Sequence, residues 1–358
     1  MRIALDITAA VRPKRTGIGW YTAHLVRELP ALLGPDDRLL ACARLSRWKH
    51  RAQRPGLDDP RVSQRWFQGV IGPLGRPDVF HGPDARLPEW ERWPLVATVH
   101  DVFSLLSDEF ANDQFRSHKK SRYHDIARRA RRVIFPSDAA RRDFLERFPE
   151  VEPHAAVVPQ GVSPEFVPVA PERVAEVRTR LKLPGRYALY VGEVSVRKNL
   201  PGMARGLQAA NVGLPWVWVG ADSFGAAEIV AEVKGIAGVE VVRPGYVAFA
   251  DLPAVYSGAS VVTFVTHHEG FGIPAIEGMA CGVPVVVSDR GALPEVAGGC
   301  ALEAAPDDSG AIGAAVRRIV EDPALAADLR ARGLARAAGF TWARTARETL
   351  EEYRRALA

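Results

Sequence analysis

The chain has 358 residues, 47% hydrophobic and 25% charged, with a formal net charge of +5. That length suits two domains of about 150 residues each rather than one core, and no stretch reaches the roughly 18 apolar residues of a membrane span. The cysteines Cys42, Cys281 and Cys300 show neither metal-ligand spacing nor a disulfide framework, which points to a reducing, cytoplasmic setting. MRIALDITAA lacks a basic region followed by a long apolar segment, so no signal peptide is expected.

In chain order, RIALDI opens as a strand. KRTGIGWYTAHL follows, with Gly17 and Gly19 ahead of a helix. A dinucleotide-binding Gly-x-Gly-x-x-Gly is excluded, because its third position is Thr22 and about ten residues separate strand from loop. PLVATVHD (94–101) is the next strand and carries His100 and Asp101 at its end. The segment 116–135, RSHKKSRYHDIARRARRVIF, holds much of the charge excess: residues 1–170 carry 27 Lys and Arg against 21 Asp and Glu. It reads either as a solvated helix face or as a surface for anionic lipid head groups or phosphate-bearing acceptors. Nucleic acid is disfavoured, since no aromatics for base stacking are interleaved there. Strands at RRVIFPS (131–137) and AAVVPQGV (155–162) flank the helix DAARRDFLERF. Ser137 stands before that helix, as an N-cap or as a site residue.

SPEFVPVAPERV (163–174) is aperiodic and turn-rich, and marks a domain junction. A second series of strands begins at YALYVGEV (187–194). It continues through PWVWVGA (215–221), VEVVRPGYV (239–247), SVVTFVT (260–266) and PVVVSD (284–289), with helices AEIVAEVKGI and SGAIGAAVRRIVED between them. The patch 324–338 and the amphipathic RTARETLEEYRRALA are helical. Strands alternating with helices imply parallel sheets covered on both faces, and continuously apolar runs such as VVTFV fit strands buried on both sides. Ligands of such sheets bind beyond the strands' carboxyl ends.

HHEGFGIPAIEGMACG (267–282) runs from the end of a strand into a helix. Gly270 and Gly272 permit close backbone approach, and Pro274 suits the first helical position, so the amides of Gly270, Phe271, Gly272 and Ile273 would lie beside a positive helix end able to cradle a phosphate. Glu277 is expected in the first helical turn, capping it or accepting hydrogen bonds from a ribose diol. Glu269, before the turn, would face whatever lies beyond the phosphates.

Glu269 and Glu277, separated by seven residues, resemble the paired-glutamate signature of the retaining glycosyltransferases of family four (group 1), which have the GT-B fold. VGEVSVRKNL (191–200) is similar to the family's Arg-Lys-Asn element and VVPQGVSPEF (157–166) to its hinge-side segment. SDRGALPEVAGG (288–299) is similar to its Gly-x-x-Pro-Glu segment, and FTWARTARETLEEY to its closing helix. The resemblance implies an α/β protein of two Rossmann-like doubly wound parallel-sheet domains facing an inter-domain cleft. Residues 1–165 would take the acceptor and 166–340 the nucleotide-sugar donor, with a helix over 341–358 crossing back to the first domain.

The resemblance further implies transfer of a hexose, mannose from GDP-mannose foremost, from a nucleotide-diphosphate sugar to a hydroxyl of a glycan or lipid-linked acceptor. Front-side displacement with retention is expected, without metal or other cofactor. By this likeness Lys198, with Arg197 beside it, contacts the diphosphate, Gly17 and Gly19 lie near the donor phosphates, and His100 touches the transferred sugar. Asp101 either assists His100 or orients its neighbours, and Glu269 stabilises the sugar's developing charge. Where many members carry a further arginine, this chain has Glu193 and Val194. A sugar-nucleotide epimerase or a phosphorylase of the same fold, and a non-catalytic nucleotide-sugar-binding partner protein, are the alternatives. Acceptor recognition is expected in loops such as 42–75 and 103–118, and peripheral contact with an anionic membrane through 116–132.

Overall fold

A computed structural model of the chain describes residues 1–56, 58–67, 76–89 and 92–358. Two compact units emerge. Met1–Val102, Gln114–Gly161 and Thr341–Ala358 form the first, and Phe103–Asp113 with Val162–Phe340 form the second.

The first unit begins β1 (Arg2–Asp6), α1 (Gly17–Leu32), β2 (Arg38–Arg44), β3 (Val62–Phe67), β4 (Val79–Gly82) and β5 (Leu95–Thr98). After a one-turn helix of the second unit, α2 (Phe103–Leu106), it continues with α3 (Asp113–Arg129, from its second residue onward), β6 (Arg132–Phe135), α4 (Asp138–Leu145) and β7 (Ala155–Val157). The seven strands form one parallel sheet in the order β3-β2-β1-β4-β5-β6-β7. β2, β3 and β4 are strands the sequence patterns did not single out. β4 has only four residues, one of them His81, and β3 (VSQRWF) is a half-buried edge strand without a continuous apolar run. Part of the loop 42–75, namely 57 and 68–75, lies outside the described residues.

The second unit runs α5 (Pro171–Leu181), β8 (Ala188–Val191), α6 (Leu200–Ala210), β9 (Trp216–Val219), α7 (Ala226–Lys234), β10 (Val241–Val242) and α8 (Leu252–Ser257). It continues through β11 (Val261–Phe264), α9 (Ile273–Ala280), β12 (Val285–Ser288), α10 (Leu293–Ala297), β13 (Leu302–Ala304), α11 (Ser309–Glu321) and α12 (Pro323–Ala337). Its parallel sheet has the order β10-β9-β8-β11-β12-β13. Successive strands step away from β8 in one direction and from β11 in the other, so the topological switch falls between β8 and β11, the place where open α/β sheets bind ligands. The strand expected over 239–247 shrinks to β10, because Pro244 has no N–H to donate and Gly245 turns the chain with a φ of +79°. The unit takes up at Val162 rather than 166: the Val162 N–H donates to Phe340 O at 3.0 Å, and Phe166 packs edge-on against Phe249 and Tyr256.

The last helix, α13 (Trp342–Leu357), belongs to the first unit. Trp342, Ala346, Leu350, Tyr353 and Ala356 share its core with Ile3, Leu25 and Val96. These positions follow helical spacing, so one stripe of α13 is apolar and faces inward. Trp342 lies flat on His24, with ring centroids 4.5 Å apart and planes within 5°. The Tyr353 hydroxyl shares a 2.7 Å hydrogen bond with His81 Nδ1, and His81 Nε2 meets Thr98 Oγ1 at 2.8 Å. At its polar edge, Glu352 accepts from Arg132 at 2.6 Å and Arg355 at 2.7 Å. Satisfying the polar groups of Tyr353 and His81 matters because an unpaired buried donor or acceptor costs about 1–3 kcal/mol.

Candidate functional site

The loops leaving β8 and β11 carry the charged residues at the switch point. The first loop ends in a short turn of 3-10 helix over Val196–Lys198 and then Asn199, which adopts the left-handed region at φ +54°. Asn tolerates that conformation better than most residues. Its side-chain amide donates to Val265 O at 3.0 Å and Pro306 O at 2.8 Å, while the His267 N–H donates to Arg197 O at 3.0 Å. The two loops are thereby stitched together.

Held in this way, Arg197, Lys198 and Glu269 converge. Glu269 Oε1 accepts from Arg197 Nη1 at 2.8 Å and from Lys198 Nζ at 2.6 Å, and Arg197 Nη1 also donates to His268 O at 2.7 Å. All three side chains are buried. Burial alone would raise the Glu269 carboxyl, but the charges and hydrogen bonds of Arg197 and Lys198 outweigh it and hold the group down at about 2. Burial lowers the Lys198 ammonium, and Glu269 works against that shift. The Phe103 ring lies 4.6 Å from the Arg197 guanidinium carbon, a cation–π contact from Phe103–Asp113. Glu193 Oε1 stands 3.8 Å from Arg197 Nη2, so the residue found where many members have an arginine weakens rather than adds positive charge.

The backbone of Glu269 is fixed by the segment 288–299. Ala292 N–H donates to Glu269 O at 3.0 Å, and a Cβ at Gly291 (φ +62°) would come within 2.9 Å of that same oxygen. Beneath the loops, the Ser195 and Thr266 hydroxyls are buried without a hydrogen-bond partner among the described residues. Such groups ask for a partner.

α9 begins at Ile273 with Gly272 as N-cap at φ +106°, and Phe271 is buried against Phe340. Gly270, Phe271, Gly272 and Ile273 therefore lead into the positive end of an eight-residue helix. Two expectations need correction. Pro274 is the second helical residue, not the first, and Glu277 lies in the second turn, so it caps nothing. Its carboxylate turns to the neighbouring α8, accepting from the Tyr256 hydroxyl at 2.7 Å. Burial pushes the Glu277 carboxyl up to about 8, with the Tyr256 hydrogen bond opposing the shift.

In the first unit, Gly17 and Gly19 lie inside the first turn of α1, not ahead of it, because Thr16 is already the N-cap. A Cβ at Gly17 would meet nothing within 4 Å, whereas one at Gly19 would press to 2.8 Å on Ala9 O. Gly19 thus serves packing and Gly17 leaves open space. His100 stands two residues past β5. Its Nε2–H donates to Pro83 O at 2.8 Å and its Nδ1 accepts from the Gln160 amide at 2.9 Å, so neither ring nitrogen is spare for a hydroxyl. Burial lowers its basicity and keeps it neutral. The Asp101 carbonyl accepts from Tyr123 at 2.9 Å. Ser137 caps α4 by accepting from Ala140 N–H at 3.0 Å.

Segment 116–132 spans most of α3 and the start of β6. Tyr123 and Ile126 face the core, while Arg129 is tied to Asp125 at 2.8 Å and to Pro88 O at 2.7 Å. Lys120 and Arg128 are the exposed basic residues of that helix. No helix among the described residues is long and apolar enough to cross a membrane.

Phe103, Gln160 and Tyr256 escaped the sequence reading, because they act across long sequence distances and leave no local pattern. Asn199 and Gly291 stand in the Arg-Lys-Asn and Gly-x-x-Pro-Glu segments, but the pattern alone gives them no role.

Known proteins bear on the same residues. A profile described as glycosyltransferase family 4 matches residues 15–166, and one described as glycosyl transferases group 1 matches 185–322. The chain is 30% identical to O-antigen chain mannosyltransferase B of Escherichia coli, over 77% of this chain and 74% of that protein. It is also 30% identical to the MMP alpha-(1->4)-mannosyltransferase of Mycolicibacterium hassiacum, over 100% and 99%. It spans 34% of the length of the serotype-specific mannosyltransferase WbdA of Escherichia coli, at 26% identity. In fold it matches sucrose-phosphate synthase from Thermosynechococcus elongatus with a TM-score of 0.74 at 22% identity, over 99% and 98% of the two chains. Two parallel-sheet units, paired glutamates after β11 at the switch point, family profiles over most of the chain and end-to-end likeness to the Mycolicibacterium hassiacum mannosyltransferase lead to one assignment: the chain is a glycosyltransferase of group 1, family 4, with the GT-B fold.

Proposed function

We propose that this transferase moves a hexose, mannose from GDP-mannose foremost, from a nucleotide-diphosphate sugar to a hydroxyl of a glycan or lipid-linked acceptor, with retention at the anomeric carbon. The observation that carries the proposal is the buried Arg197–Glu269–Lys198 cluster between the β8 and β11 loops. Its net charge of one positive unit, in a low-dielectric setting, suits a diphosphate. Lys198 has three N–H donors and Arg197 five, so both can keep Glu269 while turning further donors to phosphate oxygens. The amides at 272 and 273, at the positive end of α9, add to that cradle. Glu277 would accept from the ribose diol. The mannosyltransferase names of the relatives above favour mannose.

In the reaction the C1–O bond to the diphosphate breaks, and its electron pair leaves on the phosphate oxygen. Arg197 and Lys198 stabilise that charge as it develops. The acceptor oxygen forms its bond to C1 from the same face and passes its proton to the departing phosphate. Glu269 Oε2, which has no partner among the described residues, would face the positive charge building on the sugar while Oε1 stays on the two cations. For the first unit we assign His100 to the transferred sugar, Asp101 to its support and Gly17 to the approach of the donor phosphates. With both ring nitrogens engaged, a neutral His100 would contribute shape rather than charge or a new hydrogen bond.

The test is a thermal-shift and transfer screen with GDP-mannose, UDP-glucose, UDP-N-acetylglucosamine, UDP-galactose and dTDP-rhamnose. One donor should raise the melting temperature and lose that effect in both Lys198→Ala and Glu277→Ala. No shift with any donor, or variants that respond like the parent, would refute the assignment.

A further inference from the structure

A groove of about 520 Å³ opens beside the charged cluster, between the starts of α6 and α7. This falls within the about 300–1,000 Å³ of small-molecule sites. Val196, Asn199 and His267 form its inner end, next in sequence to Arg197 and Lys198 and two residues from Glu269. Phe224, Arg205, Glu228 and Glu232 line the outer part.

The groove is built rather than incidental. Val194 N–H donates to Ala221 O at 2.9 Å and Ser223 N–H to Val194 O at 3.0 Å, zipping the two loops that flank it. Gly225, at φ +76°, lets the second loop close on the first, since a Cβ there would sit 2.8 Å from Val196 Cγ2. Farther out, Arg205 of α6 and Glu232 of α7 form an ion pair at 2.7 Å. Phe110 stacks on His267 with centroids 6.2 Å apart, which supports the His267 ring at the inner end.

The chemistry of the lining selects its occupant. Two carboxylates against one guanidinium leave a net negative wall, because burial keeps His267 neutral. A phosphate or nucleotide would be repelled there. A neutral polyol is suited: Glu228, Glu232 and Arg205 present planar groups that hydrogen-bond pairs of hydroxyls. Phe224, 42% exposed, offers a flat apolar face to the C–H side of a sugar ring. We propose that this groove is a glycan subsite, holding non-reacting sugar residues of a neutral oligosaccharide acceptor. This rests on the transferase reading of the neighbouring cluster and extends it to the class of acceptor.

Titration calorimetry with α-mannotetraose and, separately, with GDP tests the subsite. Phe224→Ala should weaken tetraose binding about 10-fold, in line with loss of an aromatic contact, and Glu228→Gln should weaken it as well. Both should bind GDP like the parent, and Phe224 and Glu228 are exposed enough for the fold to survive. Lys198→Ala should lose GDP and keep the tetraose, which separates this proposal from the donor assignment. Parent protein that binds GDP but not the tetraose, or Phe224→Ala and Glu228→Gln variants that bind the tetraose unchanged, would overturn the subsite. If GDP fails to bind even the parent, the donor assignment fails, and a tetraose affinity sensitive to Phe224 would still uphold the groove.

Discussion

At the carboxyl ends of its strands the second unit buries three ionised side chains, Arg197 and Lys198 each donating to Glu269 within 2.8 Å. The first unit buries a set of neutral ones there. His81 joins Thr98 and Tyr353, Tyr21 reaches Thr98 at 3.1 Å, and His100 is held by Pro83 and Gln160. Burial drives the His81 imidazole down to about 3, so it carries no charge at any ordinary pH. The contrast shows two ways of keeping polar groups inside an α/β unit. One balances charge and leaves donors spare for an anion; the other pairs neutral groups with one another and fixes shape. A leaving diphosphate needs the first kind, and a neutral sugar is served by the second.

Breaking the charged cluster should have the largest effect. Glu269→Gln leaves two buried cations without their carboxylate and should cost about 3 kcal/mol or more, as removal of one partner of a buried pair does. A urea midpoint equal to the parent's would show that the cluster is not held by charge. Because Glu269 is held down at about 2, its contribution is present above the ordinary carboxylate range and is lost as pH falls toward 2. Glu269→Gln should lack that acid-side decline.

Removing a hydroxyl from the neutral network should do less. Tyr353→Phe orphans His81 Nδ1 and should cost about 1–3 kcal/mol, with GDP affinity unchanged. If GDP binding weakens in step with stability, the two units are not energetically separate in the way their contrasting chemistry suggests.

Much of the charged cluster was legible. Arg197, Lys198, Glu269 and Glu277 stand out because the paired-glutamate spacing, Gly-Phe-Gly and Arg-Lys-Asn are contiguous patterns. The strands of the second unit were legible for a related reason: VVTFV and PVVV are apolar throughout. The neutral network was not, since His81 lies on a four-residue strand and its partner Tyr353 is 272 positions away. Glu277 was found but misplaced by one residue, which carries it from the first turn into the second, because α9 begins at Ile273 and not at Pro274. The tie between Asn199 and Pro306 likewise depends on loops that only folding brings together.

Glu277 sharpens the comparison from the side of proton linkage. With its carboxyl raised to about 8, it is mostly protonated near neutral pH, and the free protein should lose stability as pH rises from the ordinary carboxylate range to about 8. A ribose diol donating to the ionised form would lower that value, so donor binding near neutral pH should release a proton. Calorimetry in buffers of differing ionisation enthalpy reads this directly. A binding enthalpy independent of buffer, or a Glu277→Gln variant with the same buffer dependence, would contradict the ribose role.

The smallest effect concerns α3. If its exposed basic residues meet anionic membranes, Lys120→Glu with Arg128→Glu should weaken co-sedimentation with phosphatidylglycerol vesicles while leaving transfer to a soluble acceptor intact. Arg129 is unsuitable for that test, because it is tied to Asp125 and Pro88. Unchanged sedimentation leaves α3 as a solvated face.

The central claim is that the buried cluster is the phosphate site, and GDP binding to the parent and to Lys198→Ala measures it most directly. The account predicts that the lysine's loss weakens GDP by about 30-fold or more, the scale of truncating one partner of a buried charge pair in a binding site, with the melting temperature of the unliganded variant recorded alongside to confirm folding. A folded Lys198→Ala protein that binds GDP as tightly as the parent would contradict it.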